Sequence, residues 1–305
     1  MSAVANELIR TDVLRNEPLR KHTSWRVGGP ADLFYTPTSI AELTSILAEL
    51  PAATPVCWLG LGSNLLVRDG GIRGAVIATV SLPRALERLD ERRVHASAGL
   101  ACMLLAKRCV RWQLGPAAFF AGIPGTVGGA LAMNAGAFGG ETWTHVESVS
   151  TIDRRGVLRE RLRADFEIGY RTVRGAVDEW FLGATFRFEH DAASSMDAIK
   201  AMLARRNAAQ PLGVPSCGSV FRNPEGDFAG RLIEQAGFKG RRIGGAMVSD
   251  KHANFILNAG SATAADIEAL IAEVRAAVER ASGVRLELEV RVIGEPAAPP
   301  AGGER

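Results

Sequence analysis

Apolar residues along the chain recur at two spacings, and the two predict different elements. Ile40, Leu43, Ile46, Leu47 and Leu50 fall at helical spacing behind Thr38 and Ser39 and stop at Pro51, which predicts a first helix. A second helix is predicted from Met103 to Trp112, with Gly115 as its terminator, and a third from about Met196 to Ala209. The fourth starts at Thr263, has Asp266 in position to complete a capping box, and buries Ile267, Leu270, Ile271, Val274 and Val278 before Gly283. Strands are predicted at Val56–Leu59, Val76–Thr79, Val94–Ala98, Val146–Ile152 and Trp180–Phe188. Over Val284–Ile293 the alternation is strict, with Arg285, Glu287, Glu289 and Arg291 on one face and apolar residues on the other, which predicts a final strand.

Helices and strands mixed without a regular βαβ alternation indicate an α+β fold. The polar stretch Glu189–Ser195 divides a segment 1–195 from a segment 196–295, and residues 296–305, rich in Pro, Ala and Gly, read as a disordered tail.

Composition narrows the function classes. Lys+Arg 36 against Asp+Glu 33 leaves a net charge of +3, and aromatics are 6% of the chain, neither of which suits a nucleic-acid binder. Cys57, Cys102, Cys109 and Cys217 lack metal-ligand spacing, and the five histidines are scattered, so reduced thiols and no metal site are expected. There is no apolar signal core and no apolar run of about 18 residues, which points to a cytoplasmic protein. The 33 glycines in 305 residues exceed a usual share of about 7% and cluster in three stretches.

The first cluster, LGLGSN (Leu59–Asn64), follows an apolar strand but does not open a helix. Leu65–Val67, the turn Asp69-Gly70-Gly71 and a further apolar run read as strand, turn, strand, which excludes a Rossmann loop. Gly60, Gly62, Ser63 and Asn64 can either make a tight turn or form a concavity of N–H groups that takes a diphosphate. In the second cluster, Gly122, Gly125, Gly128 and Gly129 let the backbone run close to a flat or polyanionic group, Pro124 stiffens the turn, and Thr126 and Asn134 add short polar arms. Two such loops favour a large nucleotide cofactor. The stretch SCGSVFRNP (Ser216–Pro224) places a hydroxyl at Ser219 with no histidine nearby to make it a nucleophile. Arg171 and Glu289 are not distinguishable by periodicity from the charges beside them.

Seven blocks then occur in one order: TSWRVGGPAD (Thr23–Asp32), LGLGSNLLVRDGG (Leu59–Gly71), GIPGTVGGALAMNAGAFGGE (Gly122–Glu141), GYR (Gly169–Arg171), CGSVFRNP (Cys217–Pro224), AGFKGRRIGGAMVSDKHANFILN (Ala236–Asn258) and LELEVRVIG (Leu286–Gly294). Together, from about Trp25 to Gly294, they closely resemble the UDP-N-acetylenolpyruvoylglucosamine reductase family, in its compact type without an extra tyrosine-bearing loop. The resemblance implies a two-part FAD-binding half of the vanillyl-alcohol-oxidase type, divided near residue 80, and a C-terminal substrate domain. It implies FAD contacts at Gly60, Gly62, Ser63, Asn64, Gly122, Pro124, Gly125, Thr126, Gly128, Asn134 and Gly136. NADPH is the implied reductant, and UDP-N-acetylglucosamine enolpyruvate the implied substrate, in peptidoglycan precursor synthesis. By the same resemblance Ser219 donates a proton, Arg171 steadies an enolate and Glu289 assists. Arg222, Asn223, Lys239 and Gln210 become substrate contacts, with Arg205, Arg206, Arg242, Lys251 and His252 as further candidates. One departure is Val173, where many relatives have serine. A rival reading, a carbohydrate or alcohol oxidase of the same superfamily, often tethers flavin through His or Cys in the first glycine loop. Neither occurs in Gly60–Asn64, so non-covalent FAD is expected.

Overall fold

The structure, a computed structural model, describes residues 12–175, 177–211 and 213–298. Most of the tail expected to be disordered, residues 299–305, lies outside them.

Strands β1 (Val13–Pro18), β2 (Pro30–Tyr35), β3 (Val56–Leu59) and β5 (Ile72–Ala78) form one sheet in the order β1-β2-β5-β3, with β2, β5 and β3 parallel. Helix α1 (Ile40–Glu49) connects β2 to β3 right after Ser39, whose side chain caps it by accepting from Glu42 N at 3.1 Å. Its stripe of Leu43, Ile46 and Leu47 packs on Ala75 and Ile77 of the sheet. Strand β4 (Leu65–Val67) leaves this sheet and pairs in parallel with Arg291–Ile293. The strand-turn-strand reading of the first glycine loop holds, although β4 and β5 do not form a hairpin with each other.

An antiparallel five-stranded sheet follows, in the order Leu158–Leu162, Val146–Asp153, Glu179–Arg187, Arg93–Ser97, Leu86–Arg88. Helices α2 (Cys102–Arg111) and α3 (Val127–Met133) bury Leu105, Cys109, Val127 and Leu131 in the core of this unit. Thr126 caps α3 by accepting from Gly129 N at 3.3 Å, and Asn134 closes it in the left-handed conformation at φ 47°. The glycine pair in this helix hid it from the sequence pattern. Helix α4 (Met196–Ala209) follows, as predicted.

The C-terminal unit packs α5 (Ala229–Gln235) and α6 (Ala264–Ser282) on a small sheet of Arg242–Ile243, Ala246–Val248 and Ile256–Asn258. Its core includes Trp25, Val27 and Leu66 from the first half. Trp25 Nε1 donates to Ile256 O at 2.7 Å, and Asn258 Nδ2 donates to Trp25 O at 2.9 Å. The predicted last strand is shorter than expected: only Arg291–Ile293 forms a ladder. Leu286 and Val290 are buried as the alternation requires, but backbone pairing there reduces to one bridge, Phe221 with Leu288. The period records burial, and burial does not need a sheet. Among the described residues no helix is long and apolar enough to cross a membrane, and no three His, Cys, Asp or Glu residues cluster as metal ligands.

Candidate active site

A cavity of about 700 Å³ opens where the three units meet. Its wall brings together Gly60, Gly62, Ser63 and Asn64 with Gly122, Pro124, Gly125, Thr126 and Gly136, and with Arg171, Gln210, Ser219, Asn223 and Glu289. Segments more than 200 residues apart in sequence, such as Gly60 and Glu289, thus meet at one wall.

Two kinds of glycine build the cradle. Gly62 adopts φ +61°, and a Cβ there would run into the His22 carbonyl oxygen, so the fold itself requires glycine. At Gly125 the nearest atoms to an added Cβ are Ser63 Oγ at 3.4 Å and Ile123 Cγ2 at 4.0 Å. At Gly60 only Thr126 Oγ1 lies close, at 3.0 Å. At Gly125 the protein leaves room toward the cavity, whereas a side chain at Gly60 would crowd the Thr126 hydroxyl; both positions present bare backbone to a ligand. A second cavity of about 780 Å³ adjoins the first and shares Trp58, Gly60, Leu65, Gly129, Ala132 and Arg291 with it. Its wall includes Gly128 and the stacked rings of Trp58 and Trp180, 5.0 Å apart with 2° between planes. Two joined chambers with bare backbone at the junction suit a long dinucleotide such as FAD. No cysteine or histidine in the Gly60–Asn64 loop offers it a covalent tether.

The opposite wall carries charge. Arg171 sits in the two-residue turn between strands Glu167–Gly169 and Thr172–Arg174, at φ 53°, a sparsely populated conformation for a side chain of this size. Its Nε donates to Glu289 Oε1 at 3.1 Å, while Nη1 and Nη2 donate to the carbonyls of Asn134 at 3.2 Å and Gly136 at 3.1 Å. The guanidinium lies 4.9 Å from the centre of the Tyr170 ring. Both members of the ion pair are largely buried, at 14% and 16% side-chain exposure. Burial pushes the Glu289 carboxyl above its ordinary 4.5, and the charge and hydrogen bond of Arg171 offset only part of that. The sequence pattern put Glu289 on a polar strand face; the structure turns it into the cavity, next to Val220, whose carbonyl accepts from Glu289 N at 2.9 Å. Ser219 follows Gly218, which takes φ +76°, and among the described residues its hydroxyl has no hydrogen-bond partner.

Several predicted contacts lie elsewhere. Asn134 is buried: its Nδ2 donates to Glu141 Oε2 at 3.0 Å and Gly169 O at 3.1 Å, and its Oδ1 accepts from Trp143 N at 3.0 Å. It braces the loops around the cavity and is not part of the wall. Gly128 borders the second cavity, where an added Cβ would press on Ala98 at 2.8 Å. Lys239 pairs with Glu234 at 2.6 Å, and Lys251 donates to Asn207 O at 2.6 Å, both away from the cavity wall, as are Arg242 and His252. Arg222 is also outside the wall. Asn223 reaches the wall but spends its Oδ1 on Ala229 N at 3.1 Å, at the start of α5. Arg205 and Arg206 do line the cavity, from the end of α4; Arg206 Nε donates to Gln210 Oε1 at 2.7 Å, and burial lowers the Arg206 pKa. Trp58, Met133, Phe138, Tyr170 and Phe255 are among the large side chains that also line the cavity. Met133, Phe138, Tyr170 and Phe255 fall within the motif blocks of the sequence, although nothing in the pattern singled them out; Phe138 sits at the tip of the AGAFGG turn at φ 52°.

Known proteins match the chain over both of its parts. Residues 31–160 match the FAD binding domain family, and residues 210–293 match the C-terminal domain of UDP-N-acetylenolpyruvoylglucosamine reductase. The chain is 56% identical over 293 residues to the UDP-N-acetylenolpyruvoylglucosamine reductase of Alkalilimnicola ehrlichii, covering 95% of this chain and 98% of the relative. It is 55% identical over 283 residues to that of Methylococcus capsulatus, covering 92% and 93%. The crystal structure of the Thermus caldophilus reductase superimposes with a TM-score of 0.78 at 32% identity, covering 93% of this chain and 98% of that one. With an FAD binding domain, a C-terminal reductase domain, close relatives over nearly the whole chain and the fold all matching, this chain belongs to the UDP-N-acetylenolpyruvoylglucosamine reductase family and is an FAD-containing oxidoreductase.

Proposed function

We propose that the chain reduces the enolpyruvyl ether of UDP-N-acetylglucosamine enolpyruvate to UDP-N-acetylmuramate, with NADPH as reductant, in the cytoplasmic synthesis of peptidoglycan precursors. The observation that carries this reading is the buried Arg171–Glu289 pair on the wall that also bears Ser219, facing the glycine loops across one cavity. FAD, when bound along Gly60–Asn64 and Gly122–Thr126, would supply hydride chemistry there.

The remaining work falls to side chains. Hydride addition to the terminal carbon of the enol ether leaves negative charge conjugated with the substrate carboxylate. Arg171 is permanently cationic and aims its donors from a fixed backbone, so it can hold that charge without reorganising. A carbon-centred enolate is a strong base, so the Ser219 hydroxyl, though a weak acid in water, suffices as proton donor. Glu289, raised by burial and tied to Arg171, orients the enolate and assists the proton transfer. Arg205, Arg206 and Gln210 lie on the same wall and suit a diphosphate. NADPH and the sugar nucleotide use the same open side of the cavity in turn.

Turnover of NADPH should require the enol ether, and the product should be heavier than the substrate by one hydride and one proton. NADPH consumption with oxygen alone, leaving the ether unchanged, would refute the assignment.

A further inference from the structure

Arg222, matched by motif to a substrate contact, points elsewhere. Its Nη2 donates to the carbonyl of Arg171 at 3.2 Å and its Nη1 to Thr172 Oγ1 at 3.3 Å. Nη1 also lies 3.9 Å from Glu287 Oε2. Its Nε is buried without a partner among the described residues, and none of the side chain lines the cavity. The guanidinium therefore grips the outer side of the turn whose inner side carries the active-site arginine.

That grip matters because of where it falls. The turn must hold Arg171, a residue with a Cβ, at φ 53°, and its only ladder is the short pair Glu167–Gly169 with Thr172–Arg174. Residues with a Cβ populate that region sparsely, so the conformation needs support from its surroundings. Two neighbouring segments of the C-terminal unit hold Arg171 from outside. They are tied together by the Phe221–Leu288 bridge and by Arg222 N donating to Glu287 O at 2.8 Å. One segment contributes Glu289, which accepts from the Arg171 side chain; the other contributes Arg222, which donates to the Arg171 carbonyl. The same second segment carries Ser219. Arg222 is thus the side chain that ties the segment of the proton donor directly to the backbone of the enolate-binding cation, beside the Glu289 contact to its guanidinium.

We propose that Arg222 is a positioning residue: it fixes the Arg171 turn relative to Ser219 across the seam between the FAD-binding half and the C-terminal unit, and it does not bind substrate anions. The proposal rests on the reaction assigned above, and it deepens that reading by separating the machinery that binds nucleotide from the machinery that aligns the reacting carbon.

The test uses the flavin-loaded protein and the variants Arg222→Met and Arg222→Lys. The first readout is amide hydrogen exchange in 167–174, which requires no substrate. The second is reoxidation of the reduced flavin at saturating enol ether, and the third is affinity for uridine diphosphate, which lacks the enolpyruvyl carboxylate. In Arg222→Met the turn should exchange faster and saturated reoxidation should fall about 10²-fold, the scale of a misplaced reacting group, with uridine diphosphate affinity unchanged. Arg222→Lys, which can still reach one carbonyl, should recover part of both effects. Unchanged exchange in 167–174 would overturn the proposal. So would weakened uridine diphosphate binding with a normal saturated rate, the pattern of a direct anion contact. If the parent flavin is never reoxidised by the ether, the reaction assignment fails by itself, and hydrogen exchange still decides the role of Arg222.

Discussion

Replacing Gly125 with alanine should move fold stability and cofactor affinity in opposite directions. The φ of Gly125 lies outside the left-handed range, and an added Cβ meets nothing nearer than Ser63 Oγ at 3.4 Å, an ordinary contact. Alanine restricts the unfolded chain at such a site, so the apoprotein should gain about 0.4–1 kcal/mol. In a chain of 305 residues that is a rise in melting temperature of about 0.6–1.6 °C. The same methyl group projects from the cavity wall, into the space between Gly125 and Ser63 where the cofactor is expected to lie against backbone. Forcing an extra methyl into a fitted contact costs about 1–3 kcal/mol, so FAD should bind roughly 5- to 150-fold more weakly. The assay strips the flavin, measures apoprotein melting by circular dichroism, and titrates FAD back by quenching of its fluorescence. A lower apoprotein melting temperature would mean that the glycine is structural. Undiminished FAD affinity would mean that this wall does not face the cofactor.

Gly62→Ala should behave in the other way, because φ +61° and the His22 carbonyl both reject a side chain; apoprotein stability should drop by more than about 1 kcal/mol in urea unfolding. Ser219→Ala should leave flavin reduction by NADPH intact and slow reoxidation by the enol ether about 10²–10⁴-fold in stopped flow; equal reoxidation in parent and variant removes the proton-donor role. Glu289 has a raised carboxyl, so its stabilising contribution is full below its ordinary 4.5 and is lost as pH rises through the higher folded value. Glu289→Gln should therefore flatten the pH dependence of apoprotein stability in that window, and an unaltered curve in urea unfolding contradicts the burial argument.

How far the sequence could be read depended on what kind of signal each element leaves. Helices α1, α2, α4 and α6 were legible because a stripe, a cap or a stop residue marks each one, as with Ser39 before α1 and Gly283 after α6. Helix α3 was not, since Gly128 and Gly129 oppose helix propensity and its caps and its packing in the core of the five-stranded-sheet unit have to compensate. The alternation over Val284–Ile293 correctly gave the buried positions Leu286 and Val290 and wrongly implied a continuous strand. Glu289 shows the limit most clearly: the polar face of that segment turns into a cavity made by other parts of the chain, which no local pattern encodes. The motifs, by contrast, named most of the cavity wall. Where they located Asn134 and Arg222 in the site, the side chains instead brace the backbone of the loop that carries Arg171. A motif marks that a residue type is needed and leaves open whether the need is contact or support.

The central claim is that one cavity serves both a flavin and an enolpyruvyl sugar nucleotide. It is tested most directly by an anaerobic absorption spectrum of the flavin-loaded protein, adding NADPH and then UDP-N-acetylglucosamine enolpyruvate. The flavin bands should bleach with NADPH and return on adding the ether, one equivalent of ether per flavin. Bands that bleach and stay bleached in the presence of excess ether would contradict the account.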